Sequence, residues 1–356
     1  MNNKHHITIL GAGLCGLTLA YLLKKSNYPV TVIEARDRLG GRILTKKTQD
    51  QTPIDLGPAW LWNQNTALLS LLKELEIPIH QQLITRNAFY ESMASRPPQA
   101  FKLPENQEPS YRIAGGTITV IDKLAASLHE TELKLNEPVL KLEDVENQIK
   151  INTLTASYTT DLVISTLPPR LLVNSIEFSP TLPESFIGIA NETHTWMADS
   201  IKFGISYKEP FWKEKSLSAS FFSNLGPFTE LYDHTNYKEN KFALAGFMNT
   251  ALYQESATYR KEKIVQQLVR FFGKEARHFT SYEEQCWSYE KYTHVPYTQF
   301  LAAHKNNSHA IYNQKYMNNK LIIAGTETAS QYAGYMEGAV RRASSVFDFI
   351  TTLDQL

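Results

Sequence analysis

Cysteine, net charge and long apolar runs are what this chain lacks. Its 356 residues hold only two cysteines, Cys15 and Cys286, too few for a disulfide framework and in keeping with a reducing compartment. Neither has a His or a second Cys at metal-ligand spacing, and no HExxH sequence occurs, so no resident metal is expected. Basic and acidic side chains balance at 36 each, which leaves no electrostatic footprint for a nucleic acid. No apolar run reaches the roughly 20 residues that span a bilayer. Residues 14–23 come nearest, but a glycine turn precedes them and no small-residue cleavage site follows, unlike an export signal. The last helical pattern stops just short of Leu356, with no membrane tail after it. The expectation is a soluble, cytoplasmic protein. Repeats and low-complexity linkers are also missing, while the length and the 42% apolar content suffice for two domains with real cores.

What is present begins at His6. The apolar run Ile7 to Leu10 ends in Gly11-Ala12-Gly13-Leu14-Cys15-Gly16; a helical pattern through Leu17, Ala20 and Tyr21 follows, and a second apolar run, Val30 to Ile33, ends in Glu34. Strand, glycine turn, helix, strand and acid, in this order, suit a dinucleotide pyrophosphate. Gly11 permits the tight turn, Gly13 a close approach of backbone to phosphate, and Gly16 close packing of helix on strand. At Leu14 and Cys15 the helix N-terminus offers unpaired N–H groups and the positive end of a dipole; Cys15 itself reads as a small packing residue. Glu34 can accept hydrogen bonds from a ribose diol. The chain continues Ala35-Arg36-Asp37-Arg38-Leu39-Gly40-Gly41-Arg42. This second glycine pair allows another close approach, and guanidinium groups suit phosphate oxygens, Arg42 above all because it stands directly behind the glycines.

Further along, Ile54-Asp55-Leu56-Gly57-Pro58-Ala59-Trp60 reads as a strand end and a glycine turn. Asn65 or Thr66 can cap a helix running to about Glu76. Residues 81–111 carry Pro97, Pro98, Pro104 and Pro109 and read as one or two strands and a loop. Gly115-Gly116 turns into a helix with Ile118, Ile121, Leu124 and Leu128 on one face. Pro138 to Leu142, with Val139, and Gln148 to Tyr158 alternate like strands, and Asp161 to Leu167 is a buried strand stopped by Pro168-Pro169. From Leu171 aromatics multiply. Ile201, Phe203, Ile205 and Tyr207 share one strand face, and Lys202, Gly204 and Ser206 the other. Phe221-Phe222, Phe228 to Tyr232 and Phe242 to Phe247 read as strands of the same sheet, and Tyr259 to Phe272 as an amphipathic helix stopped by Gly273. Leu321-Ile322-Ile323-Ala324-Gly325-Thr326-Glu327-Thr328 is a strand ending in a polar turn, followed by Gln331-Tyr332-Ala333-Gly334-Tyr335-Met336-Glu337-Gly338-Ala339 and a helix to about Phe349.

The glycine-arginine run resembles that of the two-dinucleotide-binding-domain flavoproteins, and the last segment resembles the C-terminal flavin segment of the flavin monoamine oxidases. The resemblance implies an α/β chain: an FAD-binding Rossmann-like (two-dinucleotide-binding-domain) fold with an interwoven α+β substrate domain. The expected division is 1–80, 112–172 and 290–356 for the FAD-binding part and 81–111 and 173–289 for the substrate part. It implies FAD held by Gly11, Gly13, Leu14, Cys15, Gly16, Glu34, Ala35, Arg36, Gly40, Gly41, Arg42, Gly57, Pro58, Ala59, Trp60, Val139, Gly325, Thr326, Glu327, Tyr335 and Met336. The stretch Ile201-Lys202-Phe203 to Pro210-Phe211-Trp212 is similar to the family's active-site lysine strand; from the strand pattern alone, Lys202 would read as a surface lysine. Trp287 and Tyr297 stand ten residues apart as in the family, which implies that Tyr297 and Tyr335 form a pair of aromatic faces around the amine. Where membrane-bound relatives carry the cysteine that attaches FAD, this chain has Pro296, so non-covalent FAD is implied.

The function implied is an FAD-dependent amine oxidase that takes a small amine to an imine, with oxygen as acceptor and peroxide as product. A flavin dehydrogenase or desaturase with another acceptor, and a flavin-holding protein without catalysis, are the alternatives. The partners expected are an amine and oxygen, with no nucleic acid and no membrane. The chain is shorter than typical relatives between about Gln81 and Tyr111, which implies a pocket that is shallower, more open or completed by a second subunit in a homodimer. Arg86 stands in the general region where a carboxylate-binding arginine would favour amino acids as substrates.

Overall fold

The computed structural model describes residues 4–82, 87–93, 95–104, 108–129, 132–214 and 220–353. At its centre the strand Ile7–Leu10 lies parallel between Val30–Ile33 and Leu162–Ser165. Leu321–Ile323 and Leu133–Lys134 extend this sheet in the same direction, and Lys315–Tyr316 closes one edge antiparallel. These runs are mostly apolar because both faces are covered. Ile7, Ile9, Val30, Val32, Ile164 and Ile322 pack under the helices Leu14–Lys25, Ile118–Ala125 and Met336–Leu353. Leu10, Ile33, Val163, Leu321 and Ile323 face a second core with Leu142, Ile151 and Phe186. The sheet thus draws its strands from widely separated stretches of chain, which brings the two glycine-rich ends together.

The other large sheet has seven strands, in the order Phe279–Cys286, Ile201–Tyr207, Phe242–Met248, Phe228–Asp233, Phe221–Ser223, Asn87–Glu91 and Gln99–Lys102. Its pairings are antiparallel except between Phe221–Ser223 and Asn87–Glu91. Ile201, Phe203 and Ile205 pack against Ile264 and Leu268 of the helix Ala257–Phe272. That helix starts with the Ser256 hydroxyl capping the Tyr259 N–H and stops at Gly273, whose φ of +91° suits glycine. The opposite strand face is also covered. Gly204 makes this possible: a Cβ there would meet Ile54 Cγ2 at 2.2 Å, so only glycine lets the strand Pro53–Asp55 lie against the sheet. This contact delivers residues 55–57 to Lys202.

The structure departs from the sequence reading in two places. Residues 148–158 are not one strand but two, Gln148–Thr153 and Ser157–Thr160, paired antiparallel. The Thr153 hydroxyl accepts from the Ala156 N–H at 3.0 Å and closes the turn, a local signal that the apolar alternation hid. Residues 173–191 pack with the nucleotide part: Glu177–Ser179 pairs with Val139–Val145, and Ile176, Leu182, Phe186 and Ala190 share the core of Leu142 and Leu321.

Candidate active site

A cavity of about 740 Å³ runs from the glycine turns to the start of the last helix. Gly11, Gly13, Leu14, Cys15, Glu34, Ala35, Arg36, Gly40, Gly41 and Arg42 line one end. Gly57, Pro58, Ala59, Trp60, Val139, Thr326, Tyr335 and Met336 line the rest, with Lys202 and Trp287. Gly16, Gly325 and Glu327 stand behind the wall and shape it. A Cβ on Gly16 would meet the Gly11 carbonyl oxygen at 2.1 Å, and one on Gly325 the Leu167 carbonyl oxygen at 2.8 Å.

The glycine end fits a dinucleotide. A Cβ on Gly13 would meet nothing nearer than the Gly40 carbonyl at 3.9 Å, so the space beside that backbone is open. The helix Leu14–Lys25 begins there without a side-chain cap and without an acid in its first turn, which leaves its N–H groups and dipole for an anion. Glu34 is buried, and its carboxylate accepts from the Ala12 N–H at 2.9 Å and the Arg36 N–H at 3.0 Å, tying the glycine loop to the acid that follows the second strand. The arginines do more than line the cavity. Arg36 donates to Glu290 Oε2 at 3.1 and 3.0 Å and to the Thr293 hydroxyl at 2.7 Å. Arg42 grips Glu327, whose side chain is fully buried, through two bonds of 2.6 and 3.0 Å. Each arginine therefore also ties the N-terminal loop to a distant segment. Cys15 donates its thiol to the Ala324 carbonyl at 2.7 Å, and burial pushes that thiol up to about 12, so it acts as a packing residue.

Lys202 is not a surface lysine. It is 2% exposed, and its Nζ donates to the carbonyls of Gly57 at 2.6 Å and Asp55 at 3.2 Å. The same Nζ lies 4.8 Å from the Trp60 ring centroid and 5.1 Å from that of Phe247. Burial lowers the ammonium to about 8. Between those carbonyls, Leu56 O accepts from the Trp287 indole N–H at 2.9 Å, so Lys202 and Trp287 together fix three successive carbonyls. Behind them lies a buried charged cluster. Asp55 accepts from the Thr45 hydroxyl and the Thr117 N–H, with Arg112 3.8 Å away. Against the burial penalty, the Arg112 charge and the Thr45 hydroxyl hold its carboxyl well below the ordinary range. Burial, then the Arg112 charge, lowers His234 to about 4 and keeps it neutral, in line with its Nε2 accepting from the Asp55 N–H at 3.1 Å.

The expected pairing of Tyr297 with Tyr335 is not what the structure shows. Tyr335 lines the cavity, but Tyr297 does not. The Tyr297 ring stacks on His194 at 5.9 Å, its hydroxyl accepts from the Thr195 N–H at 3.0 Å, and Arg170 lies 5.1 Å from the ring. Arg170 holds that segment by donating to the carbonyls of Val295, Pro296 and Asn191. In the cavity it is Trp196 that meets Tyr335, at 5.4 Å between ring centroids. Sequence reasoning missed Trp196, which sits six residues before Lys202 in no motif, and also Trp62, Phe247, Tyr292 and Glu337 in the cavity wall. Glu337 accepts from the N–H groups of Ala67 and Leu68 and so caps the helix Thr66–Glu74 from the first turn of the helix Met336–Leu353. Arg86 lies outside the described residues.

Comparisons with known proteins agree with this fold. A family model described as NAD(P)-binding Rossmann-like domain matches residues 9–75. Amine oxidase [flavin-containing] B of Homo sapiens is 24% identical over 96% of this chain and 85% of its own length. A probable flavin-containing monoamine oxidase A of Dictyostelium discoideum is 23% identical over 96% of both. Both alignments run to about 445 positions against the 356 residues here, so this chain is the shorter partner. Among solved structures, a putrescine oxidase bound to putrescine matches with a TM-score of 0.85 and 21% identity over 98% of this chain and 99% of that one. The cyclohexylamine oxidase of Brevibacterium oxydans matches with a TM-score of 0.85 and 18% identity over 99% and 100%. No helix among the described residues is long and apolar enough to cross a membrane. A family model described as flavin containing amine oxidoreductase matches residues 79–346, and the chain, with its glycine cradle and buried lysine on one cavity, belongs to that family.

Proposed function

We propose that this protein is an FAD-dependent oxidase of a small monoamine, with oxygen as the electron acceptor. The observation that carries the reading is Lys202, a buried ammonium held on the Asp55 and Gly57 carbonyls in the same cavity as the glycine cradle and Tyr335. When bound, FAD supplies the two-electron acceptor for the amine's C–H bond and passes the electrons to oxygen. The chain supplies binding, orientation and charge. Gly11, Gly13, Gly40 and Gly41 bring backbone up to the dinucleotide, and Thr326 fixes Tyr335 by donating to its carbonyl at 2.8 Å. An ammonium has three N–H donors; two are engaged by carbonyls, and Nζ lies beside the Trp60 and Phe247 rings of the cavity wall. Because burial has brought it down to about 8, Lys202 Nζ can gain or give a proton near neutral pH. Non-covalent FAD follows from Pro296 before Tyr297 and from the raised thiol of Cys15, the cysteine in the cavity wall.

The wall also speaks for one amino group rather than two. Its carboxylates among the described residues are Glu34, Glu137 and Glu337. Glu34 is taken by backbone N–H groups, Glu137 by the hydroxyls of Thr153 and Thr155, and Glu337 by Ala67, Leu68 and Arg341. Each is thus already engaged, while Trp60, Trp62, Trp196, Phe247 and Tyr335 give apolar surface. Turnover under air tests this. Benzylamine is expected to give benzaldehyde, ammonia and peroxide in equal amounts, with putrescine a poor substrate; the reverse preference would overturn the monoamine reading, and no peroxide from any amine would overturn the oxidase.

A further inference from the structure

We infer that Trp196, and not Tyr297, is the second aromatic wall against which the amine packs beside Tyr335, with His304 as its backing. The inference rests on the amine-oxidase reading and deepens it. Four contacts place Trp196. Its ring meets Tyr335 at 5.4 Å with the planes tilted by 45°, and both residues line the cavity. Two rings in direct contact at this tilt make a wedge, open on one side, rather than a slot between parallel faces. His304 stacks on Trp196 at 4.2 Å and on Tyr335 at 5.6 Å, each within 24° of parallel, so it props both walls from outside the cavity lining. The backbone is built for this contact. Gly334 has a φ of +89°, and a Cβ on it would meet Trp196 Cβ at 2.7 Å; only glycine before Tyr335 lets the indole lie there. The Trp196 carbonyl is in turn held by Arg42 Nη1 at 3.2 Å, which ties the wall to the buried Arg42–Glu327 pair.

Tyr297 joins this cluster from behind. It stacks on His194 at 5.9 Å, and His194 is 6.1 Å from Trp196 and 6.4 Å from His304. Its place is that of a positioning residue one ring removed from the wall. Indole and phenol faces attract amines and their carbon chains through apolar contact and the ring quadrupole, so the wedge sets amine affinity.

The test uses the flavin-loaded protein and cumylamine, an amine whose nitrogen-bearing carbon has no hydrogen, so that it binds without being oxidised. Binding is read from the perturbation of the visible flavin spectrum. Trp196→Ala and Trp196→Leu are expected to weaken cumylamine about tenfold, as for loss of a good aromatic contact, while Trp196→Phe recovers most of the affinity. His304→Phe is expected to hold the affinity and His304→Ala to lose part of it, a rescue that mere loosening of the fold would not give. Tyr297→Phe is expected to stay within about twofold of the parent protein, as befits a ring outside the wall. Should Trp196→Ala fail to load flavin, the Leu and Phe variants carry the comparison. Equal affinity for the Leu and Phe variants would overturn the inference. So would a loss on Tyr297→Phe as large as on Tyr335→Ala, or the absence of any cumylamine signal in the parent protein. These are binding measurements, so flavin that no oxidisable amine reduces would sink the proposed activity without deciding between Trp196 and Tyr297.

Discussion

The glycine end of the cavity is made of backbone, and the amine end is made of side chains. At the first, Gly11, Gly13, Gly40 and Gly41 bring main chain to the surface, and a Cβ on Gly11 or Gly40 would meet Thr166 Oγ1 at 2.9 Å or the Ile43 carbonyl oxygen at 2.7 Å. At the second, Lys202, Trp196, Phe247 and Tyr335 project from separate segments, and three of them are held by ties to other segments: Lys202 by carbonyls 55 and 57, Trp196 by the Arg42 guanidinium, Tyr335 by the Thr326 hydroxyl. At Gly11 and Gly40 the backbone-built end tolerates almost no substitution, while a side-chain site can be retuned one residue at a time. The two ends are nonetheless one structure, because Arg36 and Arg42 leave the glycine loop to hold Glu290 and Glu327.

The comparison can be broken at four points. The largest effect is expected from Gly16→Val, which drives a side chain into the Gly11 carbonyl at 2.1 Å. The flavin-to-protein absorbance ratio of the purified variant should fall to near zero, and normal loading would refute the backbone account. Next, Arg42→Ala leaves the Glu327 carboxylate buried and unpaired. It should cost about 3 kcal/mol in denaturant unfolding, the low end for a buried pair because Arg42 is itself partly exposed, and Glu327→Gln in the same chain should restore part of the loss.

Third, Lys202→Met should slow reoxidation of photoreduced enzyme about 100-fold, a usual size for loss of a proton-transferring group. The sign of its pH dependence is fixed by burial. Lys202 sits at about 8, so the ammonium is present below that pH and lost above it, and reoxidation in the parent protein should fall as pH rises through 8. The Met variant should lose that step; a profile unchanged by the substitution would remove Lys202 from the chemistry. Fourth, and smallest, Glu337→Gln keeps the shape but removes the charge that caps the helix Thr66–Glu74. A loss of about 1 kcal/mol in stability with flavin still bound is expected; loss of flavin itself would mean that Glu337 belongs to the cofactor site.

The two ends also differ in how far they could be read from residues alone. The strand, turn and helix at 7–25 and the acid at Glu34 follow from steric rules that leave few residue choices, so the sequence pattern and the observed elements coincide there. Lys202 shows where periodicity stops. Alternation puts it on a polar strand face, but that face is covered by the strand Pro53–Asp55, and only the Gly204–Ile54 contact reveals it. Tyr297 stands at the family's spacing from Trp287, but its ring is turned by a segment whose carbonyls Arg170 has captured. No local pattern encodes that capture. Trp196 belongs to the same class: it is placed by Gly334, His304 and Arg42, each far away in sequence.

The most direct test of the whole account is an anaerobic titration of the purified, flavin-loaded protein with benzylamine, followed by air. One amine per flavin should bleach the oxidised spectrum completely, and air should restore it with release of peroxide. A protein that is colourless and takes up no FAD, or one whose flavin stays oxidised with every amine offered, would contradict it.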